Sequence, residues 1–189
     1  MVTPELLAAY DQPGPRYTSY PTAVDFHDGF GPGDYAERLA DAAGRPDDPL
    51  SLYVHLPFCE QRCSFCACHV VVTGRASVAD AYLGRVVAEA RTTAAQLGER
   101  RVLQQYHWGG GTPTYFPPEV LAELHHALLS EFELAPGAEV ALEVDPRVTT
   151  PEHLAVLREL GFNRLSMGVQ DADQTVQRLI GRNQTWGQT

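Results

Sequence analysis

From Leu50 onward, short apolar segments alternate with longer amphipathic ones, and this order restricts the fold more than any other feature. The apolar segments predict strands, and the amphipathic segments predict helices. The predicted strands are 51–55, 102–108, 140–144 and 164–169, and the predicted helices are 77–97, 118–132, 151–160 and 173–180. Strands and helices in this order form parallel βα units with right-handed crossovers. Four strands are too few to close a barrel, so we expect an α/β fold that is part of a (β/α) barrel.

Polar residues or glycines follow each predicted strand. A cysteine-rich segment follows the first strand, Gly109–Thr114 the second, Glu143 and Asp145 the third, and Gln170 the fourth. In α/β barrels the carboxyl ends of the strands hold the chemistry. We therefore expect the functional site at this edge of the sheet.

Two helix ends carry sequence signals. Ser77 is the expected N-cap of the first helix of this series, and Gly161 is expected just past the end of the third. The last helical pattern stops without a cap, so we expect the core domain to be truncated at its C-terminus.

The first 48 residues lack this alternation. They are rich in glycine, proline and aspartate, as in Asp11–Pro15 and Gly29–Gly33, and they predict an irregular leader with one helix near Asp34–Ala43. The expected organisation is a leader at 1–48 and a core domain at 49–189.

Composition excludes several classes of function. The formal net charge is −10 and no basic stripe is present, so we expect no nucleic-acid partner. All 14 basic residues are arginine, which excludes a lysine Schiff base and a P-loop lysine. No apolar run reaches the roughly 18 residues of a membrane span. The N-terminus does not resemble a secretory signal, so we expect a cytoplasmic protein without a membrane partner.

The four cysteines all lie between positions 59 and 68. Disulfide frameworks usually spread their cysteines, whereas a tight group in a cytosolic chain more often binds metal. Thiolates suit iron–sulfur clusters, zinc or copper(I). Zinc sites usually use two separated ligand pairs, but only one residue separates Cys66 from Cys68 and no distant pair follows. A cubane cluster on Cys59, Cys63 and Cys66 would leave one iron open to chelate a substrate.

The spacing of these three cysteines matches the radical S-adenosylmethionine (SAM) superfamily, and the surrounding motifs resemble oxygen-independent coproporphyrinogen III oxidase. The fourth cysteine and the leader motif distinguish this branch from related haem chaperones. The motifs that carry the resemblance are Arg16–Thr22, Tyr53–Cys59, Cys66–Cys68, His107–Thr114, Glu143–Arg147 and Phe162–Gln170.

The resemblance implies a partial radical SAM (β/α) barrel and a specific chemistry. Such enzymes use a 4Fe–4S cluster and SAM to generate a 5′-deoxyadenosyl radical. The radical abstracts hydrogen from two propionates of coproporphyrinogen III, which lose carbon dioxide and become the vinyl groups of protoporphyrinogen IX. The expected partners are this substrate, an electron donor and an electron acceptor of unknown identity, and the expected state is a monomer.

The resemblance also implies roles for individual residues and no separate catalytic side chain. Cys59, Cys63 and Cys66 match the cluster ligands, and Cys68 lies outside that set. The positions around the cluster-bound SAM are Tyr53, Gly110 and Glu143. The positions around a second SAM are Phe65, Gly111, Thr112, Gln170 and Arg182.

Some of these roles have a physical basis and an ordinary alternative. Glycines at 109–111 allow close approach and could offer main-chain groups to SAM, or they could form only a tight turn. Glu143 and Asp145 lie two residues apart on a strand, so their side chains point the same way. They could contact a ligand, or they could be charges exposed to solvent. Arg182 could pair with a carboxylate or lie on the surface.

The other histidines and the leader motif carry weaker expectations. We expect His125 and His126 at the surface or its boundary, and His55 and His107 as packed, hydrogen-bonded residues. Arg16 and Tyr17 could contact substrate.

Three alternatives to the enzyme stay open at this point. They are a haem-trafficking protein that keeps the cluster, a zinc or structural module, and an inactive truncated product. We also expect low stability for the isolated 189 residues, because a partial barrel leaves an exposed sheet edge.

Overall fold

The computed structural model describes residues 3–11 and 22–189, and the chain divides into two compact units at the Ala36/Glu37 boundary. The helices are α1 Pro4–Tyr10, α2 Pro32–Ala43, α3 Ala76–Leu97, α4 Pro118–Leu129, α5 Pro151–Glu159 and α6 Gln174–Leu179. The strands are β1 Leu50–Leu56, β2 Phe58–Cys59, β3 Val71–Val72, β4 Val102–Gly110, β5 Glu133–Val144 and β6 Arg164–Met167.

Four strands form one parallel sheet in the order β1-β4-β5-β6. Helix α3 connects β1 to β4, α4 connects β4 to β5, and α5 connects β5 to β6. The helices also pack in sequence, α3 beside α4 and α4 beside α5. The predicted series of parallel βα units and the α/β class are therefore confirmed.

The two faces of this sheet differ because side chains alternate along each strand. On one face Leu56, Trp108 and Leu142 are fully buried, in a core that includes residues of α3, α4 and α5. The intervening residues Tyr53 and Glu143 belong to the other face, which carries polar groups. Helices cover the first face, and the second is free to line a site.

A buried aromatic cluster lies within this core. Tyr106, Trp108 and Phe162 pack around His125, with ring centroids 5.1 to 6.3 Å apart. The expectation that His125 lies at the surface is wrong: it is only 4% exposed, whereas His126 beside it is exposed. Position 125 falls on the helix face shared by Leu121 and Leu128, so the helical period places it inward.

Several element boundaries differ from the prediction. Ser77 is not an N-cap, because α3 begins at Ala76 and its cap position is Arg75, which makes no side-chain capping bond. Strand β5 begins at Glu133, and its pairing with β4 shifts register between Leu103 and Gln105. Helix α4 ends three residues before Phe132, and β6 ends two residues before Val169.

The leader contains more structure than predicted. The expected helix is present as α2, and α1 is an additional helix whose cap residue, Thr3, accepts a hydrogen bond from the Leu6 N–H. Residues 12–21, which include Arg16 and Tyr17, lie outside the described part of the chain.

Strand β6 forms one edge of the sheet and is exposed along its whole length, including Leu165 and Met167. Unpaired edges of this kind favour association with other strands. The low stability expected for the isolated chain stays a prediction. Among residues 3–11 and 22–189, no helix is both long and apolar enough to cross a membrane.

Candidate metal centre

The cysteine loop leaves the sheet at the carboxyl end of β1. Phe58 anchors its base, buried against the rings of Tyr82, Tyr115 and Phe116. The short pairing of β2 with β3 closes the loop again at Val71. This small parallel bridge was not predicted, because a two-residue strand has no periodic pattern. The loop therefore projects its cysteines over the edge of the sheet from a fixed base.

All four cysteines are free thiols and line one cavity of about 320 Å³. Cys63 is buried, Cys59 and Cys66 are half-buried, and Cys68 is exposed. Residues that follow the other three strands of the sheet line the same cavity. The expectation that the site lies at the carboxyl edge agrees with this placement.

Two arginines approach the buried cysteine. Arg182 Nη1 lies 3.6 Å from Cys63 Sγ, and Arg147 Nη2 lies 3.8 Å from the same atom. Arg182 is only 8% exposed, so the alternative of a surface arginine is wrong. Its other nitrogens bond to the Gly168 carbonyl and to Gln184.

Asp145 neutralises part of this positive charge. It is 5% exposed and accepts from Arg147 Nη2 at 2.6 Å, while Arg182 Nη1 lies 3.1 Å from it. Burial raises the pKa of Asp145, but the hydrogen bonds from Arg147 and the charges of both arginines outweigh burial and leave the pKa below its ordinary value. The hydrogen bonds that Arg147 donates to Asp145 are also the main reason that the pKa of Arg147 is raised. Asp145 is thus an ionised, paired carboxylate and not a solvated one.

The Thr112 hydroxyl lies 3.5 Å from Cys59 Sγ. Burial is the main cause that raises the pKa of the Cys59 thiol, and the nearby Cys66 and Cys63 add to it. Burial likewise raises the pKa of Cys68, with a further contribution from Cys66. Metal binding at Cys59 would therefore displace a proton from the thiol.

The glycines at 109–111 fill positions where no side chain fits. A Cβ at Gly110 would meet the His55 ring at 2.7 Å, and one at Gly111 would meet the Pro57 main chain at 2.5 Å. The Gly110 N–H donates to Glu143 Oε2 (3.2 Å), and the Gly111 N–H donates to the Leu56 carbonyl (2.8 Å). These two N–H groups are therefore already used within the chain.

Glu143 on β5 and Tyr53 on β1 lie on the polar face of the sheet, on either side of β4. The Tyr53 ring stacks on His107, whose Nε2 is 3.7 Å from Glu143 Oε1, and the Tyr53 hydroxyl is 3.1 Å from His55 Nδ1. His55 Nε2 also lies 3.0 Å from the His69 carbonyl. His55 is thus a packed, hydrogen-bonded residue, as expected. His107 is packed against Tyr53, and its hydrogen bonding stays a prediction. Burial, followed by the charge of Glu143, raises the pKa of Tyr53.

Gln170 and Phe65 lie at the opening of the cavity, and both side chains are exposed. Gln170 adopts a φ of +71°, which is uncommon for a residue with a side chain. Its amide lies near Gly168, where a Cβ would meet Gln170 Nε2 at 2.7 Å. The turn after β6 is therefore shaped around this side chain.

The cavity gathers most of the residues that the sequence predicts for the site. The three cluster cysteines and seven of the eight predicted cofactor residues line it, and Tyr53 lies outside its lining beside Glu143. Sequence reasoning missed Arg147 and the pairing of Asp145. The motif Glu143–Arg147 contains a signal for this ion pair, because Arg147 follows Asp145 by only two residues.

A family model described as the radical SAM superfamily matches residues 53–189. This chain belongs to that superfamily. Radical SAM membership implies a 4Fe–4S cluster and SAM as cofactors, and it confirms the predicted radical SAM fold class.

Curated radical SAM relatives carry the name oxygen-independent coproporphyrinogen III oxidase. The protein from Pseudomonas aeruginosa is 45% identical over 96% of this chain and 40% of its own length. The protein from Escherichia coli is 45% identical over 95% of this chain and 38% of its own length. A solved structure titled as coproporphyrinogen III oxidase from Escherichia coli, a radical SAM enzyme, superposes with a TM-score of 0.83 at 43% identity. The superposition covers 96% of this chain and 40% of the solved chain. The chain therefore spans about 40% of the length of these relatives.

The donor set fits a radical SAM cluster better than a single zinc ion. Within the described residues, no three potential ligands converge on a position that one metal ion could occupy. Tetrahedral zinc needs about four ligands around one centre. Cysteines that bind separate irons of a cluster need no common centre, and three of them face one cavity here. The cavity volume of about 320 Å³ is also in the range of small-molecule sites, which leaves room for a ligand.

Proposed function

We propose that this chain forms the cluster-binding part of an oxygen-independent coproporphyrinogen III oxidase, which converts coproporphyrinogen III to protoporphyrinogen IX. The observation that carries the proposal is the 45% identity to relatives of that name across 96% of the chain. The cysteine loop and its cavity lie within the aligned region.

In this proposal Cys59, Cys63 and Cys66 hold the cluster and Cys68 does not. The bound cluster and SAM supply a 5′-deoxyadenosyl radical, and the protein places substrate beside it and excludes water. The rigid base at Phe58 and the pairing of β2 with β3 support a fixed cluster position. The burial of Cys63 supports protection of the cluster from solvent.

The proposed contacts of the cluster-bound SAM are Tyr53, Gly110 and Glu143. Glu143 is half-exposed and lines the cavity, so its carboxylate can accept hydrogen bonds from an amine or from ribose hydroxyls. The stacked His107 and the Gly110 N–H support its orientation. Gly110 contributes by keeping the strand end free of a side chain.

A second SAM is proposed in the same cavity. Its contacts are Phe65, Gly111, Thr112, Gln170 and Arg182. Phe65 and Gln170 are exposed at the opening, where an aromatic face and an amide can contact a nucleoside. Arg182 is already paired with Asp145, so it would contact a ligand carboxylate as a shared cation.

The finer assignments complete the proposal. We place a leader at 1–48 and a radical SAM core at 49–189. The protein acts as a cytoplasmic monomer on coproporphyrinogen III, with an electron donor and an electron acceptor that the sequence does not identify. The remaining barrel strands and part of the substrate pocket would correspond to the part of the relatives that this chain does not span.

Anaerobic turnover tests the function directly. The protein is reconstituted with iron and sulfide, reduced with dithionite and incubated with SAM and coproporphyrinogen III. The assay is run with the chain alone and with the chain fused in frame to the part of the Escherichia coli relative that it does not span. We expect protoporphyrinogen IX and 5′-deoxyadenosine from the fused protein. A Cys63→Ser variant of the same fusion should give neither product.

Chromatography of the oxidised porphyrins measures the outcome. Stoichiometric binding of porphyrin without decarboxylation would contradict the proposed reaction and favour a trafficking role. Zinc in place of iron and sulfide would contradict the cluster itself.

A further inference from the structure

The three proposed cluster ligands have different surroundings. Cys63 Sγ has two guanidinium nitrogens within 3.8 Å, from Arg147 and Arg182. Among the described residues, no arginine contacts Cys59 Sγ or Cys66 Sγ, and the side chain at a comparable distance from Cys59 Sγ is the neutral Thr112 hydroxyl. One ligand of the three therefore lies in a positively charged environment.

The charge beside Cys63 is not fully neutralised. Asp145 is the carboxylate that pairs with both arginines, so two cations share one anion. All three side chains are largely withdrawn from solvent, which limits screening by water and salt. A net positive charge consequently stays next to this sulfur.

Asp145 also fixes the orientation of Arg147. Arg147 Nε donates to both carboxylate oxygens, at 3.1 and 3.2 Å, and Nη2 donates to Oδ2 at 2.6 Å. Nη1 donates to the Arg182 carbonyl at 2.9 Å. The Nε and Nη2 edge of the planar guanidinium group is thus held by Asp145, and Nη2 also faces Cys63 Sγ.

We propose that Arg147 is a positioning residue that raises the reduction potential of the cluster through Cys63, with Asp145 holding it in place. Reduction adds one electron from an external donor to the cluster. Hydrogen-bond donors and positive charge at a ligating sulfur stabilise the reduced cluster more than the oxidised one. Arg147 therefore makes the cluster easier to reduce before SAM can be cleaved.

This inference rests on the proposed ligation of the cluster by Cys63. The test is a redox titration of the anaerobically reconstituted protein, followed by electron paramagnetic resonance of the reduced cluster. For Arg147→Gln we expect the ratio of reduced to oxidised cluster at a fixed potential to fall about tenfold, which corresponds to a midpoint about 59 mV lower for a one-electron couple. Arg147→Lys keeps the positive charge but loses the planar guanidinium group. Its midpoint should therefore lie between those of the unaltered protein and Arg147→Gln.

Arg164→Gln is the matched control. Arg164 lies on β6 and, like Arg147, pairs with a carboxylate, that of Glu139. Its side chain is 61% exposed and is not part of the cavity lining. We expect its midpoint to equal that of the unaltered protein. An unchanged midpoint in Arg147→Gln, or an equal fall in Arg164→Gln, would overturn the inference. Failure of the unaltered protein to form a cluster would instead overturn the proposed function.

A second measurement can contradict the inference in the unaltered protein alone, whether or not the variants fold. Protein labelled with ¹⁵N-arginine is reconstituted and reduced, and pulsed paramagnetic resonance records nitrogen couplings to the cluster. We expect ¹⁵N couplings from the guanidinium groups beside Cys63, reduced in Arg147→Gln and retained in Arg164→Gln. The absence of any ¹⁵N coupling in the unaltered protein would contradict the inference.

Discussion

The two faces of the parallel sheet are built from neighbouring residues of the same strands but serve different ends. On the helix side Trp108 and Leu142 are fully buried in an apolar core. On the cavity side Glu143, one residue after Leu142, keeps 46% of its side chain exposed, and Tyr53 is 54% exposed. Alternation thus separates the residues that stabilise the fold from those available to a ligand.

Asp145 departs from this division in an instructive way. It lies on the cavity side, just after β5, yet it is as buried as the core residues. Its burial is compensated by Arg147 and Arg182 instead of by apolar packing. A buried carboxylate without such partners would be strongly destabilising. The cavity side is therefore stabilised by charge pairing at its deepest point.

The largest expected difference between the faces is in the free energy of unfolding. Leu142→Ala should lower it by about 2–5 kcal/mol, because it leaves a cavity among fully buried side chains. Glu143→Gln, the adjacent residue on the other face, should change it by less than about 0.5 kcal/mol, because the amide oxygen can still accept from the Gly110 N–H. Urea denaturation followed by circular dichroism measures both values. Equal losses for the two variants would break the comparison.

A smaller effect is expected from pH, through the buried His125. Burial, and then the charge of His126, lower the pKa of His125 to about 4 in the folded protein. The unfolded chain has the ordinary value of about 6.5, so it binds the proton more readily than the folded chain. Stability from the neutral ring is complete above about pH 7 and is lost as the pH falls toward 4.

The variant His125→Phe isolates this contribution. Between pH 7.5 and pH 5, the unaltered protein should lose about 2 kcal/mol more of its free energy of unfolding than His125→Phe loses. The exposed neighbour offers the control, since His126→Gln should keep the full pH dependence. If His125→Phe has the same pH profile as the unaltered protein, the ring is protonated in the folded state and its burial is not what the structure indicates.

The sequence predicted the sheet well because its signals are local. Apolar residues recur at regular spacing, between turn residues, in β1, β4, β6 and α5. Gly161 follows the end of α5 with a φ of +88°. The extension of β5 back to Glu133 was missed because its first half reads as a loop, Ala135-Pro-Gly137, and pairs only through a register shift. Ser77 was misassigned because a serine one position inside a helix resembles a cap.

The sequence predicted which residues gather at the cavity but not the charge pairs among them. The spacing of the cysteines is a local pattern, and the resemblance identified the cavity residues around them. The meeting of Arg147 with Arg182 depends on the fold, because 34 residues lie between them and the chain returns to Asp145 only after β6 and α6. No periodicity in the sequence distinguishes these arginines from exposed ones such as Arg164.

The paramagnetic resonance spectrum of the reconstituted, reduced protein, recorded with and without SAM, tests the central claim most directly. Three cysteine ligands leave one iron open, so we predict a reduced 4Fe–4S signal that shifts when SAM is added. Cys68→Ser should keep both the signal and the shift, whereas Cys63→Ser should lose the signal. A cluster signal that SAM does not change, or no signal in protein that contains iron and sulfide, would contradict the account.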